Sequence, residues 1–151
     1  MAAEFSANAA QDIPANSSAV FTEVKTPCPC GLVLLRVGTG LIRLVNKFFR
    51  QNIMNGWRRN TNYSITFGAN IGLPAEGGTP GPLQVGISID GVVDPASIMQ
   101  VEAAANPALY NISKTVNVQV PYPCTCSTVG VVNISNQAIT MQNANIVINQ
   151  A

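Results

Sequence analysis

The side chains able to do covalent or metal chemistry gather at few places in this chain. Its cysteines form two Cys-x-Cys pairs, Cys28/Cys30 and Cys124/Cys126, each beside prolines. Three chemistries suit matched pairs of this kind: cross-links, a metal site, or inert buried thiols. A shared zinc ion is disfavoured, because tetrahedral chelation normally uses a longer spacing within each pair. A bond inside either pair is strained by disulfide geometry. Cross-pairing between the two corners would close a loop of roughly a hundred residues and add about 2–4 kcal/mol. The remaining alternative is reduced thiols acting as small hydrophobes, the state a cytoplasm maintains. Thiol catalysis lacks its base, since the sequence contains no histidine.

The absence of histidine also removes Ser-His nucleophile pairs and most zinc hydrolase sites. The carboxylates Glu4, Asp12, Glu23, Glu76, Asp90, Asp94 and Glu102 are scattered. Asp90 precedes Gly91 and Asp94 precedes Pro95, both positions where turn chemistry accounts for the acid. Nothing in their spacing favours the paired carboxylates of a glycosidase. The Gly-rich stretch 76–81 lacks the Lys-Ser/Thr of a phosphate loop. Trp57, next to Arg58 and Arg59, suits a core, interface or stacking role. The expectation is a protein that is not an enzyme and uses no cofactor or metal.

Charge is sparse and unevenly placed. Charged residues make up 10% of the chain against 47% hydrophobic, where typical soluble domains carry roughly 25% charged residues. The surface must therefore be Asn, Gln, Ser, Thr and Gly, or be buried against partners. Net charge is +1, so nothing global favours nucleic acid. Residues 36–59 nevertheless hold Arg36, Arg43, Lys47, Arg50, Arg58 and Arg59 with no acid among them. The plain reading is a set of solvated positions; the sharper one is a basic docking patch for an acidic partner surface or a neighbouring subunit.

The elements that position these groups read as strands. In residues 63–71 every odd position is apolar or small, from Tyr63 and Ile65 through Phe67 to Ile71, and the even ones are polar or small. The same period of two runs through 85–90 and through 112–120, where Ile112, Val116, Val118 and Val120 share a face. Period two marks half-buried antiparallel strands. Further strands are expected over 17–25, 32–37, 41–49, 129–134 and 139–148. The dipeptide Asp90-Gly91 is a favoured hairpin turn. About eight to ten strands at such spacing predict an all-β antiparallel sandwich or jelly roll. Residues 1–16, small and polar, are expected to form a flexible or extended arm, with a single domain over 17–151. Met1 to Ser6 lacks a basic start and an apolar run, so the expectation is no signal peptide and synthesis in a cytoplasm.

From Tyr63 onward the order of signals resembles the tumour-necrosis-factor-like and complement-type globular head. An aromatic-x-Ile-x-Phe strand (Tyr63-Ser64-Ile65-Thr66-Phe67) is followed by a hairpin at Ile89-Asp90-Gly91. A Val-x-Val-x-Asn-type strand (Val129-Gly130-Val131-Val132-Asn133) precedes a last strand at Ala144-Asn145-Ile146-Val147-Ile148. The chain is also similar to C-terminal domains of bacterial exosporium and collagen-like proteins. It looks closer still to small proteins of phages and prophages of gut clostridia, through Ser6-Ala7-Asn8-Ala9, Phe67-Gly68-Ala69-Asn70-Ile71 and Gln142-Asn143-Ala144-Asn145. It departs from the collagen-linked relatives in lacking a Gly-x-y stalk and in carrying the basic stretch 36–59.

The resemblance implies a jelly roll of about ten strands assembled as a homotrimer. Tyr63, Phe67, Tyr110, Ile146 and Ile148 are candidates for core or trimer interface. The function it implies is a structural virion protein, a capsid decoration or head-fibre-like module at the virion surface, with capsid or other virion proteins as partners. The alternative is an adhesin-like head that recognises a host-surface glycan or protein. Neither membrane nor nucleic acid is expected as a partner.

Overall fold

The computed structural model describes residues 2–27, 31–36, 39–50, 60–105, 108–121 and 126–150. Among the described residues, twelve strands carry the fold. In chain order they are β1 (Ala2–Ala7), β2 (Gln11–Ile13), β3 (Glu23–Thr26), β4 (Val33–Arg36), β5 (Leu41–Val45) and β6 (Thr61–Gly72). They continue with β7 (Gly81–Ile89), β8 (Val92–Val93), β9 (Met99–Ala103), β10 (Tyr110–Val120), β11 (Cys126–Asn133) and β12 (Ile139–Gln150). One helical turn, α1 (Lys47–Arg50), follows β5, and a 3₁₀ turn spans Pro95–Ser97.

The strands form two antiparallel sheets. The first runs β10-β6-β12-β1-β3, with β2 also on β12; the second runs β4-β5-β11-β7-β8, with β9 also on β7. Consecutive strands repeatedly change sheet, the jelly-roll connectivity expected from the sequence. The core lies between the sheets. Tyr63, Ile65, Phe67, Ala69 and Ile71 of β6 are buried, as are Ile139, Met141, Ala144, Ile146 and Ile148 of β12. Across the gap they meet Ile42, Leu44, Leu83, Val85, Ile87, Val129 and Val131. Phe21 meets the Phe67 ring edge-on, with centroids 6.5 Å apart and planes at 85°, a favoured aromatic geometry.

The expected alternation is therefore real along β6, β10 and β12, and its apolar face points inward. Several expectations need correction. The arm expected over residues 1–16 is instead built into the sandwich: β1 lies between β12 and β3, with Ala2↔Asn149 through Ala7↔Ala144 in register. Ala3, Phe5 and Ala7 alternate into the core, and Ile13 of β2 joins them. The expected strand over 17–25 contracts to β3, while Ser18 bridges to Val132 of the other sheet and Ala19 donates its N–H to Val131 O. The expected strand over 41–49 stops at Val45. There the buried Asn46 turns the chain: its Oδ1 accepts from Phe48 N at 2.9 Å and its Nδ2 donates to Val120 O at 3.1 Å. This is N-cap chemistry, and it opens α1.

Two conformations fix the turns. Asp90 has φ of 52° and Gly91 of 86°, a left-handed pair that joins β7 to β8, as the hairpin dipeptide predicts. Asn143 has φ of 54° where the β12–β6 register shifts between Gln142 and Asn145. That bulge leaves Asn143 exposed and returns Ala144 to the core.

Candidate functional site

The outward-facing positions of the long strands are set by the same register that buries their neighbours. On β6 they are Asn62, Ser64, Thr66, Gly68 and Asn70. In register beside these on β10 stand Gln119, Asn117, Thr115, Ser113 and Asn111. On β12, Asn149, Val147, Asn145 and Gln142 stand beside Ser64, Thr66, Gly68 and Asn70. Across these three adjacent strands the outer face of the first sheet carries no charged side chain. One branched apolar group, Val147, sits at its middle.

Amides and hydroxyls on this face bond across strands. Asn111 Nδ2 donates to Asn70 Oδ1 at 3.1 Å, and Gln119 Nε2 donates to Asn62 Oδ1 at 3.2 Å. The Thr66 and Thr115 hydroxyls lie 2.9 Å apart. Charge begins on β1 and β2, where Asp12 accepts from Thr140 Oγ1 at 2.6 Å. Glu4 accepts from Asn145 Nδ2, and Glu23 accepts from Ser6 Oγ and Asn8 Nδ2, each at 3.4 Å. Lys25 stands 3.6 Å from Glu23 and completes the ion pair found among the described residues. At the other border, Lys114 is in register with Phe67 yet exposed. An inward-registered charge on an edge strand discourages further strand pairing.

The second sheet presents different chemistry. Arg36 of β4 pairs in register with Leu41 of β5, and Leu34 with Arg43. Thr128 of β11 lies beside Arg43 on its other side. These residues, with Leu35, line one cleft of about 290 Å³. Beyond Thr128, the turn residue Asp90 accepts the Thr128 N–H on Oδ1 at 2.9 Å and donates its own N–H to Thr128 O at 2.7 Å.

The residues singled out from sequence therefore part company. Tyr63, Phe67, Ile146 and Ile148 are buried inside the single chain, at 1% exposure or less, so they are core and not surface. Tyr63 donates its hydroxyl to Val45 O. Tyr110 is half-buried at the start of β10, and its Oη accepts from Ala104 N at 3.2 Å. Of the basic stretch, Arg36 and Arg43 share a cleft, while Lys47 begins α1 with Nζ 5.0 Å from the centroid of Phe48. The Arg50 side chain and Arg58 and Arg59 lie outside the described residues, as do Cys28, Cys30 and Cys124. Cys126 opens β11, half-buried, opposite Val45. Among the described residues no group of three His, Cys, Asp or Glu side chains comes together to hold a metal.

Sequence reasoning missed how the amides work as backbone substitutes. Gln11 accepts from Val20 N and donates to Val20 O, both at 3.0 Å. Gln137 does the same to Thr79 at 2.9 and 2.7 Å, which pins the Gly/Pro-rich loop after β6. The buried Asn133 donates to Ile13 O and Gln137 O and accepts from Ser135 N, each at 2.9 Å. An abundance of Asn and Gln was visible in the sequence; which of them would clip loops was not.

No family's sequence model matches the chain, and no curated protein matches it by sequence. Likeness appears in solved structures. The globular domain of a zebrafish complement 1qA protein is 10% identical with a TM-score of 0.50, the match covering 99% of this chain and 94% of that one. A pika GITRL structure is 10% identical with a TM-score of 0.46, covering 98% and 94%. A CBM36-1 domain of a multidomain xylanase from a Trinervitermes trinervoides hindgut metagenome gives 10% and 0.35. At such identities what is shared with the complement domain is the fold alone: the chain is an all-β jelly-roll sandwich.

Proposed function

We propose that this protein is a non-enzymatic jelly-roll head that associates with copies of itself, as a trimer, through the outer face of the first sheet. The observation that carries this is the uncharged surface spread over β10, β6 and β12. Interface cores are depleted in charge, because stripping water from an ion costs more than most contacts return. Amides and hydroxyls both donate and accept, so such a face can meet another copy without repulsion. Three strands at about 4.8 Å spacing and eleven residues at about 3.3 Å rise cover on the order of 500 Å². That is more than half of the roughly 800 Å² each partner brings to a standard interface. Burial of this face also explains how a chain with 10% charged residues stays free of a conventional charged coat.

The finer reading is a structural module of a phage particle, displayed on the virion and attached to capsid or other virion proteins. It is supported by the resemblance to small phage and prophage proteins and by low charge. The test of the assembly is native mass by light scattering on a sizing column, with and without reductant. The expected value is three times the 15.9 kDa of one chain. Thr66→Arg, at the centre of the face, should reduce it to one chain with the circular dichroism spectrum intact, because three like charges would then converge. A wild-type mass of one chain would overturn the proposal.

A further inference from the structure

Arg36 and Arg43 occupy diagonal positions on neighbouring antiparallel strands and face the same side, a placement that sets their backbones about 7–8 Å apart. Both are exposed, and neither has an ion-pair partner among the described residues. Asp90, the nearest carboxylate on that row, stands two strands from Arg43, roughly 10 Å by strand spacing, and is engaged by Thr128 N. Between the two cations the cleft has an apolar floor of Leu34 and Leu41. Among the exposed large apolar side chains, Val24, Leu34, Val92 and Leu109, Leu34 is the one that stands beside two cations in a concavity.

We infer that this cleft is a docking site for an acidic, extended segment of a partner protein. One carboxylate lies between the guanidiniums of Arg36 and Arg43, and an adjoining apolar side chain lies against Leu34 and Leu41. Guanidinium forks match carboxylates bidentately and lose less on desolvation than an ammonium, which is why arginine anchors interfaces. The apolar floor gives the arginine stems and the incoming side chain a surface to cover together. About 290 Å³ holds a residue-sized group rather than a large ligand. A nucleic-acid strand would ask for a longer track of cations and for stacking rings, and among the described residues no aromatic side chain lines this cleft. The inference rests on the reading of the molecule as a binding module. It does not depend on assembly through the first sheet, so the two can fail separately.

The experiment is a titration of the full ¹⁵N-labelled chain followed by amide and arginine Nε–H shifts. The probes are a blocked peptide of alternating leucine and glutamate, its glutamine counterpart, glucuronate, and inorganic phosphate. The glutamate peptide should give saturable shifts at Leu34, Arg43 and Thr128, and the glutamine peptide should bind at least tenfold more weakly. Arg36→Gln or Arg43→Gln should each weaken the glutamate peptide about tenfold. Both positions are exposed, so the fold should survive, as an unchanged dichroism spectrum would verify. Equal binding of the two peptides, tighter binding of glucuronate or phosphate than of the peptide, or no saturable shift would each overturn the inference.

Discussion

Asn133 is the side chain whose loss should be felt furthest from its own position. It is 1% exposed and ties β2, the β11–β12 connection and its own strand together through bonds to Ile13 O, Gln137 O and Ser135 N. Asn133→Ala removes all three at once. Ile13 O and Ser135 N are then left buried without that partner, each costing about 1–3 kcal/mol, while the part-buried Gln137 O recovers some hydration. The sum is about 4 kcal/mol, a large share of the roughly 5–15 kcal/mol that holds a domain together. At about 2–4 °C per kcal/mol for a chain of this size, Tm should fall by about 8–16 °C. Urea denaturation followed by circular dichroism measures the free-energy loss, and a thermal melt at the same protein concentration measures the fall in Tm. Asn133→Asp sharpens the test. It keeps the acceptor for Ser135 N but aims a carboxylate at two carbonyl oxygens, so the folded-state pKa of the new group is raised above about 3.9. A raised acid binds its proton more tightly when folded, so this variant should gain stability relative to wild type as pH falls through that raised value. An Asn133→Ala loss below about 1 kcal/mol, or an Asn133→Asp variant insensitive to acid, would refute the reasoning.

Three further outcomes follow from local geometry. Gly40 has φ of 68°, and a Cβ there would stand 1.9 Å from Ala19 O; Gly40→Ala should therefore cost more than about 2 kcal/mol in chemical denaturation, from left-handed strain and a backbone clash. Asp90→Ala should lose about 1–2 kcal/mol by giving up the acceptor for Thr128 N and a residue tolerant of positive φ, whereas Asp90→Asn, which keeps both, should denature within about 0.5 kcal/mol of wild type. Ser97 is fully buried, with Oγ accepting from Ile87 N at 2.8 Å and lying 2.6 Å from Asp94 O; Ser97→Ala should lower stability by about 1–3 kcal/mol and speed hydrogen exchange at the Ile87 amide.

What the sequence made legible, it did through period two. β6 alternates apolar with polar or small residues along its length, and β10 and β12 do so with one break each, at Lys114 and at the Asn143 bulge. β1 obeys the same rule, but two of its three inward residues are alanine, so the alternation carries little hydrophobic contrast and reads as a polar arm. β9, Met-Gln-Val-Glu-Ala, is short and lies on β7 as a flank, where exposure weakens the pattern. α1 was hidden because a strand pattern runs up to Val45 and only the Asn46 cap stops it. The surfaces were harder still. Arg36 and Arg43 are plain in the sequence, yet their convergence depends on the β4–β5 register. The neutral face becomes visible only when the even positions of β6 are laid beside the odd positions of β10.

The two outer faces thus differ in chemistry. Across β10, β6 and β12 the first sheet presents mostly groups that both donate and accept and bear no charge, a chemistry suited to meeting its own copy, since identical neutral amides do not repel. The second sheet concentrates unpaired cations at β4 and β5, a chemistry that excludes a second copy of the same patch and suits an acidic stranger. Because the sandwich core separates the faces, engaging one leaves the other open. An assembly closed through β6, β10 and β12 would therefore project several Arg36–Arg43 clefts at once, and clefts too weak to hold a partner singly would gain by acting together on a surface that repeats its acidic segments.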